Sequence, residues 1–261
     1  MSNIKDAFLN GKALIAFLTA GDPSLDKTVD YILAMEQAGA DLIEIGIPFS
    51  DPTAEGVVIQ EADIRALKAG MTTDGVFEIV EKVREKCKIP LVLMTYLNPV
   101  FHYGYERFFE KCEALSADGI IVPDLPFEEK KEVSEVAEKH GVDVVSMIAP
   151  TSKERIQMIA EDAKGFLYVV SSMGVTGVRT NIETDLSSIM ASIREVTDLP
   201  AAVGFGISTP KQAREMAAVS NGAIVGSAIV KLIEKYGEDA QEPLKEYVRE
   251  MKAAMRMMHL L

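Results

Sequence analysis

The chain has 261 residues, 48% hydrophobic and 26% charged, the balance of an ordinary globular protein with a core large enough to need neither disulfides nor metals. Its 27 Lys+Arg against 40 Asp+Glu leave a formal net charge of -13, which repels nucleic acid and anionic membranes and argues against both as partners. A phosphorylated small molecule is still compatible, because local backbone donors can hold a phosphate inside a protein that is acidic overall.

The first residues, MSNIKDAFLNGK, lack the apolar core of a signal peptide. No apolar run approaches the ~20 residues of a membrane span, so a cytoplasmic enzyme is expected. From there, short apolar runs alternate with amphipathic helical patterns eight times. The strands are predicted at 13–19, 41–45, 90–96, 118–122, 143–148, 165–171, 200–204 and 221–225. Their β-branched, nearly continuous apolar character fits parallel strands buried on both faces.

Helical stripes lie between them. After Asp74, Val76, Val80 and Val83 recur at helical spacing with Phe77 alongside; Tyr105, Phe108, Phe109 and Cys112 do the same further on. The clearest stripe is Leu186, Ile189, Met190, Ile193 and Val196, and packing onto a sheet is its expected use. Cys87 and Cys112 both fall in predicted helices, as reduced thiols filling helix faces. There is no CxxC pair, and His102, His140 and His259 form no HxxxH pair, so a zinc site has little to build with.

Gly39-Ala40-Asp41, Ala117-Asp118-Gly119 and Gly141-Val142-Asp143 each precede an apolar run, and glycine suits the left-handed turn that ends a helix. No Pro/Ser-rich linker interrupts the pattern. Eight β/α units with right-handed crossovers most economically close into one (β/α)8 TIM barrel spanning 1–261, with extra helical segments; such a barrel typically takes ~250 residues. An open doubly wound sheet is the alternative. It would favour one crevice, whereas the unusual residues here follow many strands.

In barrels of this kind the site is built at the C-terminal ends of the strands. Glu44 stands there between Ile43 and Ile45, and strand alternation puts it on one face with Leu42 and the two isoleucines on the other. If the isoleucines meet the helices, Glu44 points into the barrel mouth, where burial raises its pKa and suits it to general acid work. Spacing alone leaves a second reading open: an acid paired with a nearby lysine or amide. Glu55 follows on a long irregular loop. Loop acids are ordinarily solvated, yet two carboxyl groups from one strand–loop unit could converge and divide acid and base roles. Gly177, Gly206, Gly226 and Ser227, in the last third of the chain, could offer backbone N–H groups to a phosphate, with the helix beginning at Ser227 adding its positive end.

Four segments carry a family resemblance: Thr19-Ala20-Gly21-Asp22-Pro23, the stretch Glu44-Ile45-Gly46-Ile47-Pro48-Phe49-Ser50-Asp51-Pro52, Gly174-Val175-Thr176-Gly177, and Gly204-Phe205-Gly206-Ile207-Ser208. In this order they resemble the tryptophan synthase α subunit family, with similarity from Ala13 to Ile233. The resemblance implies retro-aldol cleavage of indole-3-glycerol phosphate to indole and glyceraldehyde 3-phosphate, with no cofactor in this chain. It implies that Glu44 is the acid–base residue and that Glu55 stabilises positive charge developing on the indole nitrogen. It also implies that Phe17, Ile59, Tyr96, Tyr168 and Phe205 wall the indole ring, while Gly177, Gly206, Gly226 and Ser227 hold the phosphate.

A partner is implied too: a pyridoxal-phosphate-dependent β subunit, in an α2β2 heterotetramer, that receives indole. Asp51, Pro52, Asn98 and Pro99 match regions that face it. The loops carrying Glu55 and Thr176 match lids, with Thr176 hydrogen-bonding the Glu55 carboxylate on closure. One departure matters. The family motif usually reads Asp-Gly-Pro where this chain has Glu55-Gly56-Val57, which keeps the charge and adds a methylene. A misplacement of about 1 Å can cost roughly 100-fold in rate, so the alternative is a weakly active barrel that acts mainly as an activator of the β subunit. Another phosphate-binding barrel enzyme, such as a sugar-phosphate isomerase, would share the late glycines without needing the Glu44–Glu55 pair.

Overall fold

The structure is a computed structural model and describes residues 2–171, 182–204 and 206–256. Among the described residues there are nine parallel strands and eleven α-helices. The strands are β1 (Ala13–Thr19), β2 (Leu42–Gly46), β3 (Leu91–Met94), β4 (Gly119–Ile121), β5 (Asp143–Val144), β6 (Ser146–Ile148), β7 (Leu167–Val170), β8 (Ala201–Gly204) and β9 (Gly222–Val225). They pair in the order β5-β4-β3-β2-β1-β9-β8-β7-β6, with β1 bonded to both β2 and β9. An open doubly wound sheet would not bring its two ends together. Here the outermost strands, β5 and β6, are separated only by Val145, and the strands form a barrel.

That junction corrects the sequence reading. The apolar run 143–148 is two strands, because its first half pairs with β4 and its second half with β7. Val145 continues the ladder toward β4 by donating its N–H to the Ile120 carbonyl at 2.9 Å. Local sequence carries no trace of the exchange, since each half opens on a polar residue, Asp143 or Ser146, and continues apolar. The remaining strands fall within the predicted runs or one residue from them.

Alternation along each strand separates two environments. Outward residues such as Ile43, Ile45, Leu91 and Leu93 join the surrounding helices α1 (Leu25–Gln37), α3 (Thr73–Arg84) and α5 (Tyr105–Ala114) in one apolar layer. Inward residues, among them Ile15, Leu42, Val92, Ile121 and Ile224, fill the barrel itself. Each fully buried branched side chain of this kind contributes roughly 1.5–3 kcal/mol. A short 3-10 helix at Ile4–Phe8 closes the bottom: Ile4 is fully buried in the interior cluster, and the Phe8 ring lies 5.9 Å from that of Phe166.

The predicted stripes face inward as expected. Val76, Phe77, Val80 and Val83 are buried on α3, and Phe108, Phe109 and Cys112 on α5. Leu186, Ile189, Met190 and Ile193 are buried on α8 (Ile182–Arg194), whereas Val196 follows the helix and packs against the same cluster from the loop. Cys87 is likewise not helical: α3 ends at Arg84, and Cys87 is half-buried in the connection to β3. Gly39 and Gly141 take the left-handed conformation that stops a helix, at φ +107° and +68°. In the third joint the turn falls earlier, on Ser116 at φ +56°, and Gly119 is already strand.

Polar ties hold the lower rim. The Asp118 carboxylate is 3% exposed and accepts from the Asn3 N–H, the Leu91 N–H and the Arg84 guanidinium at 2.8–2.9 Å. It therefore joins the N-terminal plug, β3 and α3 at one point. Asp118→Ala would leave the Arg84 charge half-buried and two backbone donors unpaired, and should destabilise the protein by about 3 kcal/mol or more in urea unfolding. A loss under about 1 kcal/mol would show that the tie is dispensable.

Candidate active site

At the C-terminal mouth of the barrel lies a cavity of about 400 Å³. Phe17 comes up on β1 and Glu44 on β2, level with each other in the strand register. Tyr168 rises on β7, and Glu55 and Ile59 reach in from the β2 connection, on its loop and on α2 (Val57–Lys68) respectively. Gly206, Gly226, and Ser227 at the start of α10 (Ser227–Tyr236), complete the lining.

Glu44 is 1% exposed, and its Oε1 has no hydrogen-bond partner. Burial in this apolar wall disfavours the charged form and pushes its pKa up from 4.5 to about 8. The Tyr168 phenol is also pushed up, first by burial and then by the nearby Glu44 charge, so it stays neutral. Glu55 is shifted in the same direction by burial, opposed by a hydrogen bond from the Tyr96 hydroxyl, and its Oε2 is buried without a partner. Among the described residues three buried side-chain oxygens lack partners; two of them belong to these glutamates and the third is Thr95 Oγ1. Since buried polar atoms are nearly always paired, the two carboxyl groups mark the place where a ligand would bond.

Tyr96 is placed differently from the other expected wall residues. It does not line the cavity: it is 2% exposed and stands behind the loop, where its hydroxyl accepts the Ala54 N–H at 2.8 Å and donates to Glu55. Its ring lies 5.5 Å from that of Phe49, so the loop is gripped near its start and near its end. Glycines seat the aromatic walls. A Cβ on Gly204 would lie 2.5 Å from the Tyr168 hydroxyl, and one on Gly226 would press on the Phe17 ring at 3.3 Å. Gly206 needs glycine for its backbone, at φ +75°.

Among the described residues no three His, Cys, Asp or Glu side chains are grouped as a metal ion would require. Thr176, Gly177 and Phe205 lie outside the described residues.

A family model described as tryptophan synthase alpha chain matches residues 3–258. The chain belongs to the tryptophan synthase alpha chain family. The alpha chain of Lacticaseibacillus casei is 46% identical over 255 residues, covering 98% of this chain and 96% of that protein. The alpha subunit of Legionella pneumophila superposes with a TM-score of 0.90 at 36% identity, covering 99% of this chain and 100% of that one. A chain of the tryptophan synthase complex of Pyrococcus furiosus matches with a TM-score of 0.85 at 38% identity, covering 93% and 99%. Tryptophan synthase alpha chains of known structure thus share both the fold and nearly the full length of this protein.

Within this alpha-chain fold, the positions expected to face a partner sit together at the same rim. Asp51 and Pro52 are on the β2 loop, with Asp51 exposed; Asn98 and Pro99 are in the first turn of α4 (Leu97–Tyr103), with Asn98 exposed. β2 and β3, which lead into these two segments, are neighbours in the barrel.

Two residues near the site escaped sequence reasoning. Asp63, on α2, is 4% exposed and receives the Thr19 hydroxyl at 3.5 Å and the Phe49 N–H. Burial, and then repulsion from Glu55, push it up to about 7. An acid in an amphipathic helix reads as solvated, and its only signal is its place beside Ala62 and Ala66 on the buried face. Lys231 also lines the cavity; its signal is helical spacing from Ser227.

The protonated state of Glu44 has a measurable consequence. The folded protein keeps this proton up to about pH 8, while the unfolded chain releases it near 4.5. Between those values the unfolded state binds fewer protons, so this group's contribution to stability falls as pH rises. Glu44→Gln removes that dependence. Urea titrations should show the variant gaining on the parent from about pH 5 to about pH 8 and levelling off above; a difference independent of pH would mean that the carboxyl is not held protonated.

Proposed function

We propose that this chain cleaves indole-3-glycerol phosphate into indole and glyceraldehyde 3-phosphate, with Glu44 as acid and then base. The observation that carries the reading is a buried carboxyl with an unpartnered oxygen, protonated near neutral pH, set among Phe17, Ile59 and Tyr168 in a cavity that a glycine-bordered helix start also lines. Glu44 donates its proton to the indole ring carbon that bears the glycerol phosphate chain, leaving positive charge on the ring nitrogen. The resulting carboxylate, in the same apolar wall, is a stronger base than an exposed one. It takes the hydroxyl proton of the adjacent side-chain carbon. The oxygen's electron pair becomes the aldehyde C=O, the carbon–carbon bond breaks, and its electrons return to the ring and neutralise the nitrogen. Glu44 ends as it began.

Glu55 stabilises the positive nitrogen in this scheme, held in place by Tyr96. Support for accommodation of the added methylene is that Glu55 is among the residues lining the cavity. Gly206, Gly226 and Ser227 receive the phosphate, with Gly177 and the Thr176 lid completing the enclosure and Phe205 the wall. Asp51, Pro52, Asn98 and Pro99 meet a β subunit that carries pyridoxal phosphate and takes up the indole, within an α2β2 assembly.

Indole release from indole-3-glycerol phosphate, measured with and without a β subunit, tests the activity. Turnover is expected in both conditions and higher in the complex. No release in either condition would reject the lyase, and β-subunit activation without any indole release would favour a purely activating barrel. Glu44→Gln should lower turnover by at least about 100-fold while substrate still binds, because an amide cannot transfer the proton. Normal turnover in that variant would remove Glu44 from the chemistry.

A further inference from the structure

The charges lining the cavity come from different elements. Glu44 belongs to β2 and Glu55 to the loop after it, whereas the cation among the described lining residues is Lys231, on the helix that begins at Ser227. Lys231 is exposed and lies four residues beyond Ser227 on α10, hence on the same helix face one turn along. Other basic side chains at functional or structural points of the fold are already engaged. Arg65 pairs with Asp22 at 2.8 Å, Lys252 with Asp41 at 2.5 Å, Lys130 with Asp162 at 2.9 Å, and Lys235, the next lysine on α10, stands 4.7 Å over the Tyr236 ring. Lys231 makes no hydrogen bond or ion pair with another described residue.

An anion approaching this mouth meets a protein of net charge -13 and at least one ionisable carboxyl group inside the cavity. A phosphate monoester carries about -1.5 to -2 charges near neutral pH, whereas a helix N-terminus offers only about half a positive charge. Backbone donors alone therefore leave most of that charge uncompensated in a partly desolvated site. A lysine on a flexible stem supplies a full positive charge without fixed geometry, which suits an anion already oriented by backbone N–H groups.

We propose that Lys231 is a substrate-binding residue that pairs with the phosphate of the substrate and biases the cavity so that the anionic end enters on the α10 side. This rests on the reading of the substrate as a phosphate monoester and adds to it a side-chain cation one helical turn from Ser227. Placing the phosphate there leaves the opposite end of the ligand toward the two glutamates.

The test is titration calorimetry with glycerol 3-phosphate, at low and at raised salt, on the full-length parent and on Lys231→Ala, Lys231→Arg and Lys235→Ala. Lys231→Ala should bind about tenfold more weakly at low salt, as expected for one charge-assisted hydrogen bond, and should lose affinity less steeply as salt rises. Lys231→Arg should restore most of the affinity, and Lys235→Ala should match the parent. If the parent binds and Lys231→Ala binds equally well, the lysine assignment is overturned and the phosphate reading stands. If the parent does not bind glycerol 3-phosphate at all, both are overturned.

Discussion

A carboxyl group surrounded by apolar side chains and denied a hydrogen-bond partner is an expensive thing for a folded protein to keep. This barrel keeps one at position 44, and much of the site is arranged around it. The cost is tolerable because the group remains protonated and neutral up to about pH 8. In the proposed mechanism it is also what makes the group useful: the same apolar wall that holds the proton makes the ionised form a strong base once the proton has left. The barrel geometry enforces the arrangement. Ile43 and Ile45 are locked into the layer beneath the helices, so Glu44 has no rotation of the strand by which to reach solvent.

The second carboxyl group is held by different means. Glu55 sits on a loop, and its position depends on contacts made by side chains distant in sequence. Tyr96 binds both Ala54 and Glu55, its ring packs on Phe49, and Asp63 takes the Phe49 N–H. Asp51 and Pro52 share this loop, while Asn98 and Pro99 follow Tyr96 after one residue, Leu97. Any partner pressing on those exposed positions acts on segments whose inner sides hold the Glu55 carboxyl. That continuity is a physical route by which assembly would tune catalysis, without a rearrangement of the barrel.

The charged groups of the cavity come from two parts of the chain, the acids from β2 and the loop after it and Lys231 from α10. The aromatic walls between them have their own requirement, since Phe17 and Tyr168 occupy space that a side chain on Gly226 or Gly204 would take. Glycine in this part of the chain thus serves ring packing. From the sequence, Gly226 is expected to offer its N–H to a phosphate, and the packing role is not legible.

Hydrophobic periodicity by itself determined the alternation of strands and helices, the inward face of each stripe and the side of β2 on which Glu44 lies, because these follow from local geometry: two residues per strand repeat and 3.6 per helical turn. Motif order in the chain was enough to reveal the family. The split of the 143–148 run, the retreat of Tyr96 behind the loop, the burial of Asp63 and the approach of Lys231 to the cavity were decided only by the tertiary structure. Each depends on which distant segments become neighbours when the barrel closes. A side chain's burial and charge environment are set by those neighbours, and the identity of the residue says little about them.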